Sequence, residues 1–292
     1  MIDYRSLREH AIAVIEQHYT ADDSMRYALA LGLGSDPGDE QQLPFVSDTR
    51  PGWPWALPTM AVVLGFPGSW MQEASTGIDF ARIVHGEETL ELFHPLPAAG
   101  TVRAHHRVTR IVDKGPGRGA TITYDKDLID AASGLLLARV THTTFARGDG
   151  GFSARDGLSD EPLPAPAPLP TRAPDLVCEI ATLPQQALLY RLCADRNPLH
   201  ADPLVARAAG FERPILHGLC TYGIAGRVLL AQRCGHDPRR LQRLHARFSA
   251  PVYPGERLRF ELFDEGDTLR FRVLAVERGK WVLDHGEARV AG

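Results

Sequence analysis

Residues 217–234 read HGLCTYGIAGRVLLAQRC, a run that is apolar on nearly every side. Such a run predicts a helix enclosed within a fold rather than one lying on its surface. At about 1.5 Å per residue it would span roughly 27 Å. Pro214 ends whatever precedes it. Strand-like runs follow near 241–253, 256–264, 268–277 and 280–290, separated by turn signals at Pro254-Gly255, Gly266-Asp267 and Arg278-Gly279. A buried helix followed by an antiparallel meander predicts a sheet wrapped around that helix, an α+β arrangement.

Upstream, 175–183 is β-rich and 185–192 has room for one or two helical turns. Before these lies the clearest boundary, EPLPAPAPLP at 161–170, where alternating prolines remove amide donors and fix φ. The chain is accordingly divided into 1–155, a stiff linker at 156–171, and 172–292. The first part has its own strand-like runs near 88–94, 101–113, 120–130 and 135–145, with turn signals at 97–100, 115–117 and 133–134. It lacks the long helix. The corresponding stretch, PGWPWALPTMAVVLGFPG at 51–68, is interrupted by Pro51, Pro54, Pro58 and Pro67, and is expected to be short, irregular and open.

At 292 residues, 44% hydrophobic and 23% charged, the chain has the composition of a soluble globular protein and the length for two cores. A net charge of −4 leaves no basic footprint for nucleic acid. The N-terminal run MIDYRSLREHAIAVIEQHY mixes charges among its apolar residues, so neither a signal peptide nor a membrane span is expected there, and the cytoplasm is the expected compartment. Cys178, Cys193, Cys220 and Cys234 form no C-x-x-C pair, which argues against a structural zinc site and for buried thiols in a reducing compartment.

The chemistry concentrates in YRLCADRNPLH, residues 190–200. Asp195, Asn197 and His200 fall on a loop that Pro198 keeps out of regular helix. A carboxylate, an amide and an imidazole suffice to activate water and return its proton to a neighbouring carbon. The start of the buried helix at His217-Gly218 offers unpaired N–H groups and a positive dipole end for a developing oxyanion, with a glycine to admit close approach. Blander readings compete: D-x-N-P is a common Asx turn, and His217 suits a local hydrogen bond at a helix start. Asp195, His200 and His217 are metal-ligand types without a recognised metal spacing. Cys193 with His200 would make a nucleophilic pair, although Cys193 is better placed to pack.

The run YRLCADRNPLHADPLVARAAGFERPILHGLCTYG, 190–223, resembles the hydratase 2 signature of the MaoC-like hydratases, the (R)-specific enoyl-CoA hydratases. HYTADDSMRYALALGLG (18–34), IVHGEETLELFHPLPAAGTV (83–102) and DKGPGRGA (113–120) resemble the N-terminal repeat of two-repeat members. The resemblance implies a double hot-dog fold in which the two repeats form an intrachain pseudo-dimer, leaving further homodimerisation open. It implies an acyl-CoA thioester substrate and a site in the second repeat alone, with the degenerate helix region of the first making room for the acyl chain. The family's catalytic groups would fall on Asp195, Asn197, His200 and the Gly218 amide, with no metal, nicotinamide or flavin. In place of the family's usual Ser-Gly the chain has Cys193-Ala194, whose extra Cβ could alter the loop slightly. A dehydratase of branched or dicarboxylic acyl-CoA, or a hot-dog protein that binds acyl-CoA without turnover, would share this outline. For substrate binding, His217 stands beside the oxyanion site, and Arg239, Arg240 and Arg243 are candidates for the coenzyme A phosphates, or else the solvated face of an edge strand. Trp53 and Trp55, with Phe66 and Trp70, are candidates for the acyl pocket, or else core.

Overall fold

The computed structural model describes residues 2–164, 166–193 and 195–291. Its strands are β1 (Ile15–Tyr19), β2 (Ile83–Leu92), β3 (Gly100–Asp113), β4 (Ala120–Asp130), β5 (Leu136–Ala146), β6 (Leu176–Ala181), β7 (Leu241–Phe248), β8 (Arg257–Glu265), β9 (Thr268–Ala275) and β10 (Lys280–Val290). They form one sheet in the order β1-β3-β4-β5-β2-β7-β10-β9-β8-β6. Adding five to each strand number in the first half reproduces the second half, read from the opposite edge. The chain therefore builds one five-stranded unit twice and joins the two at β2 and β7, the double hot-dog layout. That seam is antiparallel and runs from Glu87 opposite Arg247 to Glu91 opposite Arg243. Arg247 Nε donates to Glu87 across it at 2.8 Å.

The helix Gly218–Arg233 is buried at Cys220–Gly226 and again at Val228–Leu230. Its all-round apolarity follows from cover on every side: strands β7 and β10 on one flank, the first repeat on the other. A Cβ on Gly226 would stand 2.5 Å from Thr59 Cγ2, so glycine is what lets the first repeat lie this close.

The 51–68 stretch is irregular as its prolines dictate, with a 3-10 turn at Pro58–Val62, but it is not open. Residues 56–64 are all buried. The expectation of an open segment fails because Lys126, itself buried on β4, donates to the carbonyls of Ala61 and Val62 at 2.9 Å and of Leu64 at 2.7 Å. One ammonium thus replaces the hydrogen bonds that a regular helix would have supplied. Lys126→Met is expected to leave these three acceptors without a donor and to cost at least about 3 kcal/mol, each unsatisfied buried group being worth roughly 1–3 kcal/mol. Thermal unfolding should show this as a Tm lower by roughly 5–10 °C; an unchanged Tm would show that the segment does not depend on Lys126.

Among the elements not foreseen are β1 and the helices Tyr4–Arg8, Leu43–Val46 and Ala21–Ala30, the last of which opens on a capping box between Thr20 and Asp23. Strand β7 stops at Phe248 rather than running to 253, since Pro251 and Pro254 cannot donate to a ladder. From 155 to 175 the described residues contain neither helix nor strand, yet the segment is fastened. The Ile111 N–H donates to Asp160 at 2.7 Å, and Arg270 donates to the Ala167 carbonyl at 2.5 Å. We propose 156–171 as the linker between the units 1–155 and 172–292. Among the described residues, no helix is long and apolar enough to cross a membrane.

Candidate active site

Residues Gln186–Tyr190 form a short helix, after which the chain reverses through the Asp195 loop. Asp195 Oδ1 accepts the Asn197 N–H at 2.8 Å, and Asn197 Oδ1 accepts the Leu199 N–H at 3.0 Å. The loop is thus a pair of Asx turns running into a 3-10 turn at Pro198–His200. The bland reading of D-x-N-P holds for its backbone, and it leaves Asp195 Oδ2 free. Asn197 spends its carbonyl oxygen on shaping the turn. Ala194 lies outside the described residues.

His200 is buried, and its Nδ1 donates to the Ile215 carbonyl at 2.9 Å. That bond fixes the proton on Nδ1 and leaves the Nε2 lone pair facing Asp195 Oδ2 at 4.0 Å. The ring of His217 stacks on that of His200, with centroids 3.7 Å apart. His217 Nε2 donates to the Asp195 backbone carbonyl at 3.0 Å, tying the helix start to the loop. Burial, and then the neighbouring His200, push the His217 pKa down to about 3. Burial also lowers that of His200, against the pull of the Ile215 carbonyl and Asp195. Both rings are neutral at physiological pH.

Gly218 is the first residue of the long helix and its N–H lies among the unpaired donors there. The space beside its Cα is filled by Phe248, whose ring would meet a Cβ at 3.1 Å. The 213–218 segment is held to the strand end by the Leu216 N–H, which donates to the Val252 carbonyl at 2.7 Å. The structure therefore brings Asp195, Asn197, His200, His217 and Gly218 together from two segments and the helix start.

It does not gather the other candidates there. Arg239 and Arg240 lie before the start of β7, whereas Phe248 closes its far end, about 25 Å away at roughly 3.3 Å per residue. Each arginine also has an internal acceptor: Arg239 grips Asp237, Arg240 donates to the Ala291 carbonyl, and Arg243 pairs with Glu287. Trp55 shares a groove with Arg239 at that distant end and packs edge-on against Phe45. Trp53 lies under the Arg50 guanidinium. Trp70 belongs to a separate core with Tyr124, and Phe66 is exposed, so the four aromatics are not one wall.

Burial pushes the Cys193 thiol up to about 11, and its sulfur lies 3.9 Å from the Leu189 carbonyl, so the nucleophilic-pair reading loses support. Asp195, His200 and His217 offer ligand atoms within 4.8 Å of one another, and each histidine keeps one nitrogen besides the one it spends on a backbone carbonyl. Phe248 and Tyr190, whose ring lies 5.0 Å from that of His217, escaped the sequence reading. Tyr190 opens the quoted motif, but no spacing rule marks either residue.

Residues 166–285 match the MaoC like domain, and residues 17–148 match the MFE-2 hydratase 2 N-terminal domain. The chain is 39% identical over 277 residues to the enoyl-CoA hydratase ChsH3 of Mycobacterium tuberculosis, with 93% of each chain covered. It is 36% identical over 287 residues to the Arabidopsis thaliana protein named enoyl-CoA hydratase 2, peroxisomal, covering 95% of this chain and 92% of that one. Among solved structures, a MaoC-like dehydratase from Phytophthora capsici superposes with a TM-score of 0.85 at 31% identity, covering 99% of both chains. With both halves matched in order and a strand order that repeats itself, the chain belongs to the MaoC-like hydratase 2 family in its two-repeat form.

Proposed function

We propose that the protein is an (R)-specific enoyl-CoA hydratase, adding water reversibly to a trans-2-enoyl-CoA thioester. The observation that carries this reading is the 4.0 Å gap between His200 Nε2 and Asp195 Oδ2 beside the Gly218 helix start. The gap is too long for a direct hydrogen bond, and both atoms can hold one water. A proton passes from that water to the Asp195–His200 pair as its oxygen bonds to the β-carbon. Charge moves to the thioester oxygen, where the Gly218 N–H and the helix dipole stabilise it. The pair then returns the proton to the α-carbon on the same face. Asn197 supports the step by holding the turn, and His217 by locking the loop to the helix. No metal, nicotinamide or flavin enters this scheme, and coenzyme A arrives as part of the substrate. The compartment we propose is the cytoplasm.

The test is loss of the conjugated enoyl-thioester absorbance, with the hydroxyacyl product assigned by a stereospecific dehydrogenase. Acyl-CoA binding without turnover would overturn the reading in favour of a non-catalytic protein. The pH dependence is a second expected result. A neutral His200 is the working form and its pKa is lowered, so activity is present above that pKa and lost as pH falls through it. The acid limb of kcat/KM should therefore lie below about pH 6.5, the ordinary imidazole value. A limb centred above 7 would contradict the assignment.

A further inference from the structure

Glu88, with 1% of its surface exposed, lies on β2 in the first repeat, outside the site described above. It accepts from His85 Nε2 and from His142 Nδ1, each at 3.0 Å. Glu88 and His142 are direct partners across β2 and β5, hence on one face of the sheet. His85 is three residues from Glu88 and regular alternation would turn it to the other face. The register shift between His85 and Glu87 corrects this, because the extra residue, Gly86, lets His85 return to the buried side. A Cβ at Gly86 would come within 3.1 Å of the Thr143 carbonyl. The His85 ring stacks on His142 at 3.8 Å and meets Phe248 at 4.3 Å. Phe248 in turn fills the space against Gly218. Ala246, two residues before Phe248, is the partner of Glu88 across the seam between the repeats, so cluster and ring share one face.

We propose that Glu88, His85 and His142 are positioning residues of the first repeat, which set the Gly218 amide through the Phe248 ring. The carboxylate fixes both imidazoles by their N–H groups, the His85 ring presents a rigid face, and Phe248 is clamped between that face and the start of the long helix. The first repeat thereby contributes to the geometry of the oxyanion site. This rests on the assignment of the Gly218 amide to the thioester oxygen.

The experiment is a double-mutant cycle in the full chain with an enoyl-CoA substrate. Glu88→Gln keeps the shape of the side chain but replaces one acceptor with a donor, and is expected to lower kcat about tenfold with KM changed less than about twofold. Phe248→Ala is expected to lower kcat about thirtyfold, and Phe248→Leu, which restores bulk, to recover most of that loss. Because the cluster acts through the ring, Glu88→Gln should add less than about twofold once Phe248 is alanine. If Glu88→Gln does not fold, His142→Asn takes its place in the cycle. Fully multiplicative losses, or a kcat unchanged in folded Glu88→Gln, would overturn the proposal. Failure of the active-site reading looks different, since Asp195→Asn would then remain active whatever the cycle shows.

Discussion

Asp195→Asn is expected to lower kcat for enoyl-CoA hydration by about 10³-fold, the middle of the range for losing a positioned general acid–base group. KM should move less than about threefold, because the carboxylate acts on water and proton rather than on the bulk of the substrate. The substitution is a clean probe for a structural reason. Asp195 Oδ1 accepts the Asn197 N–H at 2.8 Å, and an amide oxygen can do the same, so the turn survives. The anchor from His217 goes to the Asp195 backbone carbonyl and does not involve the side chain. What disappears is the charge 4.0 Å from His200 Nε2. His200→Ala should cost a similar factor, and the double variant little more than either alone, since both groups serve one water. Wild-type rates in folded Asp195→Asn would overturn the assignment, and multiplicative losses would mean that the two groups act in separate steps.

Much of this was legible in the sequence because the decisive signals are local. The run from His217 to Cys234 declares a buried helix by its lack of a polar face, and turn signals set off the strands after it. The candidate loop was legible for the same reason, as Asp195, Asn197 and His200 lie within one turn-forming segment. What escaped depends on contacts between distant residues. Lys126 reads as one charged residue in a strand, and only the sheet aims it at three carbonyls some sixty residues earlier. His85, Glu88 and His142 become a cluster through one register shift, and alternation alone would have separated His85 from Glu88. Arg239, Arg240 and Arg243 show the converse. Their guanidinium forks made them candidates for phosphate by residue type alone, and only the fold shows that each also has an acceptor within the chain.

Acidification is expected to destabilise the protein well above the usual carboxylate range, and the cause is its buried neutral histidines. His85 is held down to about 4, by burial and then by His142, and His217 to about 3, by burial and then by His200. In the unfolded chain both imidazoles take up a proton near pH 6.5. Their folded pKa values are depressed, so the stability at stake is fully present above about 6.5 and is lost as pH falls from there towards 4 and 3. Within that window each histidine removes about 1.4 kcal/mol per pH unit, or about 3 kcal/mol per pH unit for the two, which comes to about 7 kcal/mol by pH 4, a large share of a typical stability of about 5–15 kcal/mol. Glu88 does not oppose this, since the two neighbouring imidazoles hold its carboxyl down to about 2 against the effect of burial. Its contribution is present above its ordinary value near 4.5 and is lost as pH falls from there towards 2, so it is unchanged between pH 7 and 5. Urea unfolding followed from pH 7 to 5 should give a falling stability with at least this slope below about pH 6.5, since His106 is also held down to about 4, by burial and then by Lys126. His217→Asn, which removes one titrating ring but retains a donor for the Asp195 carbonyl, should reduce the slope by about 1.4 kcal/mol per pH unit. An unchanged slope in that variant would mean that His217 is protonated in the folded protein, contrary to the neutral stack on which the active-site reading depends.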